Sequence, residues 1–389
     1  MRLTLLDSAF SLLDDRRSPQ DFTIILYFRE SPDVDRLREG AKSARERFKT
    51  SGSRLERDQW VYQDSICDIP VQSIEQFVNE RFDLSNDCPV KQIVVANTLA
   101  TRFHHAAADG MSAAMWLGHQ LSVAYGITPP ETSAELSLRC AETSVRRSKF
   151  AYDGACDPLW TRNSKRSGTR HWITRGFVSE DLQRACRRAG GFTYSDLLAT
   201  CVLEVYRQWN HQHAKNGQPR VGVWLPMNIR RRSGEGFGNG TSRIRLYARY
   251  SPSASLINKA REVRRQVAWS TDHGEWAVPE LPLLTRLPGW IARPALRGYL
   301  NRPSIDMATG IFSHADRWGG ASEAFRHVER IECIGLLHPR QALAINGATH
   351  SGQTWLTFTY DAGMMSDSEA GELAGMYEQQ IELAQAELL

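Results

Sequence analysis

The chain lacks any long apolar run. Nothing in its 389 residues approaches the roughly 18 consecutive apolar residues that a membrane-spanning helix needs. The greasiest stretch, ELPLLTRLPGWIARPAL, is broken by Arg286, Arg293 and three prolines, so no membrane span is expected. The opening MRLTLLDSAFSLLDD has too short an apolar core for a signal peptide and puts acidic residues where a cleavage site would lie, which implies a cytoplasmic protein. Cysteine pairs are missing as well. The seven cysteines (67, 88, 140, 156, 186, 201 and 333) are odd in number and form no CxxC, which argues against both a disulfide framework and a zinc cluster. A net charge of +4 is too small to imply nucleic acid by itself. The basic residues gather in SVRRSKF, NSKRSGTRH and NIRRRSG, which are read as solvated loops, with contact to a phosphate-bearing ligand as the alternative. No repeat occurs at solenoid or propeller periods.

What remains is a globular composition, 41% hydrophobic and 24% charged, in a chain long enough for two domains. LLDSAFSLL reads as a short helix, and the β-rich DFTIILYF as a strand. In SPDVDRLREGAKSARERF, Ser31 is a ready N-cap and Pro32 fits the first helical position. RLERDQWVYQ alternates like a strand, SIEQFVNERFDL reads as a short helix, and VKQIVVAN and TLATRFHH pair around a turn at Asn97. SAAMWLGHQLSVAYG follows as an amphipathic helix.

Residues 127–168 are rich in Pro, Ser, Thr, Gly and charge and mark a boundary. Beyond them the pattern restarts. TRHWITRGFV is a strand; SEDLQRACRRAGG is a helix capped by Ser179; TYSDLLATCVLEVYRQWNHQ is a long helix that buries Cys201. RVGVWLPMNI and SRIRLYARY flank a Gly-rich loop, SASLINKAREVRRQVAWS is helical, two β-runs form a hairpin around His350–Gly352, and an amphipathic helix closes the chain. Strands and helices mixed in this order define an α/β (α+β) class with two lobes, 1–165 and 166–389.

The chemistry concentrates in TLATRFHHAAADGMSAAMW. If TLATRFHH is a strand, His104 and His105 point to opposite faces and cannot share one metal, and no Cys or Glu stands nearby at ligand spacing, so no metal is expected. The three alanines allow a tight turn. Asp109 can pair with an arginine and hold that turn, Gly110 removes a side chain where a substrate would approach, and the positive end of the next helix begins there. Such a setting suits a histidine general base with a pKa near neutrality.

HHAAADG resembles the HHxxxDG motif of the acyltransferase superfamily that includes chloramphenicol acetyltransferase, nonribosomal-peptide condensation domains, plant acyltransferases and wax-ester synthases. The likeness extends over nearly the whole chain, in order. LLDSAFSLL resembles the LDxxFL opening of the wax-ester synthase branch, and DFTIILYFRESPDVDRLREGAKSARERF the first strand and helix of condensation-type enzymes. AGGFTYSDLLATCVLEVYRQW is similar to GxTxNDxxLAxxxxALRRW, WLPMNIRRRSGEGFGNG to xxPVNxRxxxxxxxGN, and HSGQTWLTFTYDAGMMSD to YxGxLxxxxxYDxxxxxD. Two departures stand out. The family's Asn-Asp is Ser195-Asp196, and FSHADRW replaces SNxxG around Ser313.

The resemblance implies two chloramphenicol acetyltransferase-like lobes around a central tunnel with the active site at their interface. A thioester donor, coenzyme A or the phosphopantetheine of a carrier protein, would enter from one side as co-substrate, and a small-molecule hydroxyl or amine acceptor from the other. No permanently bound cofactor is implied. His105 would be the general base, His104 structural and Asp109 orienting, with Arg230 as its arginine partner. Gly110, Ser313 and Asn228 would contact substrate; Arg230 and Asn239 would be fold elements. The implied activity is ester or amide formation in specialised metabolism, by a monomer or weak dimer. Alternatives are a wax-ester or lipid acyltransferase, a cyclase or dehydratase using the same histidine, and an inactive recruitment scaffold.

Overall fold

In the computed structural model the described residues are all of the chain except 1–4, 58, 64–72, 133–135, 137–155, 215–218, 231–235, 274–288, 301–307, 317–322 and 339. Cys67 and Cys140, the basic cluster SVRRSKF and part of NIRRRSG therefore fall outside them.

The N-terminal half lays down helix α1 (Leu5–Leu13), strand β1 (Asp21–Phe28), helix α2 (Val34–Arg47), strands β2 (Ser53–Glu56) and β3 (Gln59–Tyr62), helix α3 (Ile74–Asn79), strands β4 (Val90–Val95) and β5 (Thr98–His104), and helix α4 (Gly110–Ala124). Two expectations change here. RLERDQWVYQ is a hairpin and not one strand, because Arg57 takes φ +56° and reverses the chain between β2 and β3. Helix α2 is capped by Asp33 and not Ser31: the Asp33 carboxylate accepts from the N–H groups of Asp35 and Arg36. The turn at Asn97 does join β4 to β5, with Val95 opposite Thr98 and Ala96 at φ +51°.

The second half carries β6 (Arg170–Val178), α5 (Glu180–Ala189), α6 (Tyr194–His213), β7 (Gly222–Asn228), β8 (Thr241–Tyr247), α7 (Leu256–Asp272), α8 (Gly289–Leu300), β9 (Gly310–Ala315), β10 (Val328–Ile334), β11 (Leu343–His350), β12 (Gln353–Asp361) and α9 (Asp367–Leu388). The β11–β12 hairpin turns on Ser351 and Gly352, both at positive φ, as a two-residue hairpin loop requires. Ser179 precedes α5 but makes no cap bond; its hydroxyl donates to the carbonyl of Gly352 in that hairpin. Thr193 and Asp196 form a reciprocal capping box at the head of α6.

Six strands assemble in the order β6-β12-β11-β9-β7-β8, and four in the order β10-β1-β5-β4. Helices α5, α6, α7 and α9 bury one face of the larger sheet in a core that includes Trp209, Tyr206, Phe312, Phe358 and Tyr377. Helices α2 and α4 bury one face of the smaller sheet around Phe28, Phe103 and Trp116. This is the expected mixed α/β architecture of two lobes.

The chain crosses the expected 165/166 division in both directions. Leu159 already packs into the C-terminal core. Strand β10 returns to the N-terminal sheet and pairs with β1, Ile25 opposite Glu332. The other edge of β10 is fastened to the larger sheet by threonine hydroxyls: Thr357 Oγ1 accepts from the Cys333 N–H at 3.2 Å and Thr359 Oγ1 from the Gly335 N–H at 3.1 Å. Beside this splice a buried ion cluster joins the lobes. The Asp21 carboxylate accepts from Arg102 Nε at 3.1 Å and from Arg170 Nη2 at 2.7 Å, and Arg170 opens β6. Asp21 stands directly opposite His104 in the β1–β5 ladder. Its cluster thus fixes the strand ends from which the histidines emerge.

Candidate active site

His104 is the last residue of β5 and is fully buried. Its Nδ1 accepts from the Ala106 N–H at 3.0 Å, its Nε2 lies 3.7 Å from the Asp14 carboxylate, and Phe82 packs edge-on against its ring. The carbonyl of His104 also accepts from Ala107 and Ala108, so this residue closes the alanine turn on itself.

His105 faces the other way and keeps part of its surface exposed. Its ring stacks on Phe10 of α1 (centroids 4.5 Å apart, 19° between planes) and touches Phe22 of β1 at 4.8 Å. Its Nδ1 is buried without a hydrogen-bond partner among the described residues. The expectation of a near-neutral pKa does not hold: burial pushes the imidazole down to about 4, against the opposing pull of the Asp109 carboxylate and the Asn239 amide. The aromatic walls, which short-range sequence spacing does not show, are the reason. His105 is a neutral imidazole throughout the physiological range.

Asp109 is the N-cap of α4, its carboxylate accepting from the Ser112 N–H at 2.9 Å. The same carboxylate takes a two-pronged bond from Arg230, Nη1 to Oδ2 at 2.8 Å and Nη2 to Oδ1 at 2.9 Å, and also accepts from the Gly240 N–H and the Thr241 hydroxyl. Arg230, fully buried, spends its remaining N–H groups on Ser112 Oγ, Asn228 Oδ1 and the carbonyls of Gly236 and Gly238. Opposite charge and these donors hold Asp109 below the ordinary carboxylate value despite the burial that pushes it up. Asp109 is therefore consumed by structure. Gly240 makes this possible, since a Cβ there would come within 2.6 Å of the guanidinium.

Asn228 ends β7 as an exposed residue whose Oδ1 accepts from the Arg230 N–H at 3.0 Å; that oxygen is occupied by the turn. Asn239 is buried, and its Nδ2 donates both to the carbonyl of His105 and to Asp7 Oδ1. The helix α1 thus reaches the site twice, through Asp7 and through Phe10. Gly110 is exposed, and among the described residues a Cβ built there meets nothing within 4 Å, so the helix head beside Asp109 carries no packed neighbour there. Ser313 stands on β9, on the sheet face opposite Phe312 and His314. Sequence reasoning missed Phe10, Phe22, Asp7 and Gly240; the only advance signal was the LLDSAFSLL opening, whose Asp and Phe are the two residues that reach the site.

Among the described residues, no group of three or more His, Cys, Asp or Glu side chains is placed to hold a metal, and no helix is long and apolar enough to cross a membrane. One cleft of about 410 Å³ is lined by Arg29, Glu329, Ser351, Gln353 and Trp355. It lies past the far end of β1, about 25 Å of strand away from the Asp21–His104 pair, and it shares no residue with the histidine turn.

The chain has the fold of condensation domains, a mixed α/β architecture of two lobes. The first condensation domain of the calcium-dependent antibiotic synthetase, solved with substrate analogue 2a, superposes with a TM-score of 0.71 at 13% identity, over 99% of this chain and 97% of that one. A mutant starter condensation domain of rhizomide synthetase, in complex with C8-CoA and Leu-SNAC, matches with a TM-score of 0.66 at 12% identity, over 99% and 94%. Polyketide synthase associated protein 5 from Mycobacterium tuberculosis matches with a TM-score of 0.65 at 15% identity, over 99% and 96%. No family model and no curated protein matches the chain by sequence.

Proposed function

We propose that the protein is an acyltransferase that moves an acyl group from a thioester, on coenzyme A or a carrier-protein pantetheine, to a hydroxyl or amine, with His105 as general base. The observation that carries this reading is the neutral, partly exposed imidazole of His105, held on a turn that is clamped from both lobes. Because Nδ1 is closed off, Nε2 is the nitrogen that meets substrate. It takes the proton of the acceptor as the acceptor oxygen or nitrogen attacks the thioester carbonyl. The imidazolium formed is disfavoured in this apolar pocket, but it forms beside the developing oxyanion, so no net charge is buried. When the intermediate collapses, the C–S bond breaks and the proton passes to the leaving sulfur. A positioned base of this kind contributes about 10²–10⁴-fold, and holding donor and acceptor together roughly 7–11 kcal/mol at best.

The donor reaches the site past Gly110, where no described residue packs against the head of α4. That structural neighbours were solved with C8-CoA in one case and a substrate analogue in another supports a thioester as the donor. The reading is tested by supplying acyl-CoA, acyl-pantetheine or acyl-carrier protein with a panel of alcohols and amines and following thiol release. Acceptor-dependent release accompanied by an ester or amide product is expected. Product without thiol release, or a cyclised or dehydrated donor alone, would contradict it.

A further inference from the structure

The two positions at which the sequence departs from the acyltransferase pattern lie against each other in the C-terminal lobe. Ser195 Oγ, in the first turn of α6, is 2.7 Å from Nδ1 of His314 on β9. His314 Nε2 is in turn 2.7 Å from Thr349 Oγ1 on β11, and Thr349 Oγ1 is 2.7 Å from Thr354 Oγ1 on β12. The Tyr194 hydroxyl donates to Thr354 Oγ1 at 3.0 Å and closes the chain of polar groups. With Nε2–H donating to Thr349, Nδ1 is left to accept the Ser195 proton. A hydroxyl within hydrogen-bond reach of an imidazole, itself oriented by a third group, is the arrangement of an activated nucleophile.

The fold makes room for this ring. Gly347 is the β11 residue opposite His314, and a Cβ there would lie 2.9 Å from His314 Cδ2. Ser195 and His314 both retain part of their surface exposed. Burial lowers His314 to about 4, opposed by the charge of Asp316, so the base is unprotonated at working pH. Ser195 follows Tyr194 in the first turn of α6, whose Thr193–Asp196 capping box fixes the backbone that carries the Ser195 hydroxyl.

We propose that Ser195 and His314 form a second acyl-handling centre, in which Ser195 accepts an acyl group from a thioester as a covalent ester. Ser195 Oγ attacks the thioester carbonyl and gives its proton to His314 Nδ1; the new C–O bond forms. The C–S bond then breaks, His314 returns the proton to the departing sulfur, and an acyl-serine and a free thiol result. This centre is independent of the role assigned to His105, since it shares no hydrogen bond with the histidine turn among the described residues.

The test is covalent labelling of the intact protein with acetyl and octanoyl thioesters of N-acetylcysteamine and, separately, with a fluorophosphonate. Whole-protein mass and peptide mapping after acid quench locate the adduct. The expected result is one adduct on the peptide carrying Ser195, none on that site in Ser195→Ala, and labelling about 100-fold slower in His314→Gln, with melting temperatures recorded for both variants. Because the adduct is mapped in the unmodified protein, loss of folding in a variant does not blunt the test. If none of these reagents modifies Ser195, or if folded His314→Gln labels at the wild-type rate, the proposal falls.

Discussion

Two buried carboxylates, Asp21 and Asp109, each bind an arginine from the other half of the chain, and they do it differently. Asp109 meets one guanidinium and several neutral donors, from a helix head, the β7–β8 connection and the first residue of β8. Asp21 meets two guanidiniums, Arg102 from β5 and Arg170 from β6, which also donate to the carbonyls of Phe77, Glu80, Val78 and Asp21 itself. The first is a fastening for one turn, and the second is a keystone under two sheets. The comparison teaches that the motif aspartate is one of two structural anchors flanking the histidines, and that of His104, His105 and Asp109 only His105 keeps part of its surface exposed.

Breaking the keystone has the largest expected effect. Asp21→Asn leaves two buried guanidiniums without a counter-charge and should cost about 3–5 kcal/mol in urea unfolding, or abolish folding. Asp109→Asn keeps one N-capping oxygen but loses the ion pair and turns an NH2 toward donors that the second oxygen accepted from, so about 2–4 kcal/mol is expected, with most turnover lost as the turn loosens. A penalty for Asp109→Asn equal to or above that for Asp21→Asn would break the comparison. Unchanged stability with lost activity would make Asp109 a direct participant.

Acid sharpens it further. Burial lowers His105 and His314 from 6.5 to about 4, so the unfolded chain takes up protons that the fold refuses. Stability should therefore be level above 6.5 and fall as the pH drops from there to about 4. Each group contributes a slope of at most about 1.4 kcal/mol per pH unit. Asp21 and Asp109 are held below their ordinary 3.8, so their contribution is intact above that value and is lost as the pH falls through their folded values. Urea midpoints across pH 3–7 in the wild type and in His105→Ala and His314→Gln check this: both variants should flatten the upper limb and leave the lower one unchanged.

The smallest stability effect belongs to Gly110. Its φ is not in the left-handed region and a Cβ meets nothing among the described residues, so Gly110→Ala should be neutral or stabilising by up to about 1 kcal/mol. Gly110→Trp should melt near the wild type and yet block the donor, raising its KM or abolishing turnover. Equal destabilisation of both would show that the glycine serves the backbone and not an approach path.

Much of the site was legible because its members are close in sequence. Strand alternation separated His104 from His105, and the capping aspartate announced the turn of α4. The β11–β12 hairpin and the turn at Asn97 were legible from local chemistry. What could not be read were pairings between distant segments. Strand β10 joins the N-terminal sheet across some 300 residues of sequence, and the Asp21 cluster draws on three elements. The Phe10 and Phe22 walls that depress His105 were hidden for the same reason, and with them the pKa near 4. Ser31 was passed over as a cap because Asp33, two residues on, offers a carboxylate to two N–H groups at once.

The central claim is that His105 is the base of acyl transfer while its neighbours serve the fold. The most direct measurement is acceptor-dependent thiol release by His105→Ala, at saturating acyl thioester and acceptor, with the melting curve recorded on the same sample. A folded protein whose turnover is reduced at least about 100-fold is expected. A folded His105→Ala protein that keeps more than about a tenth of the wild-type rate would contradict it.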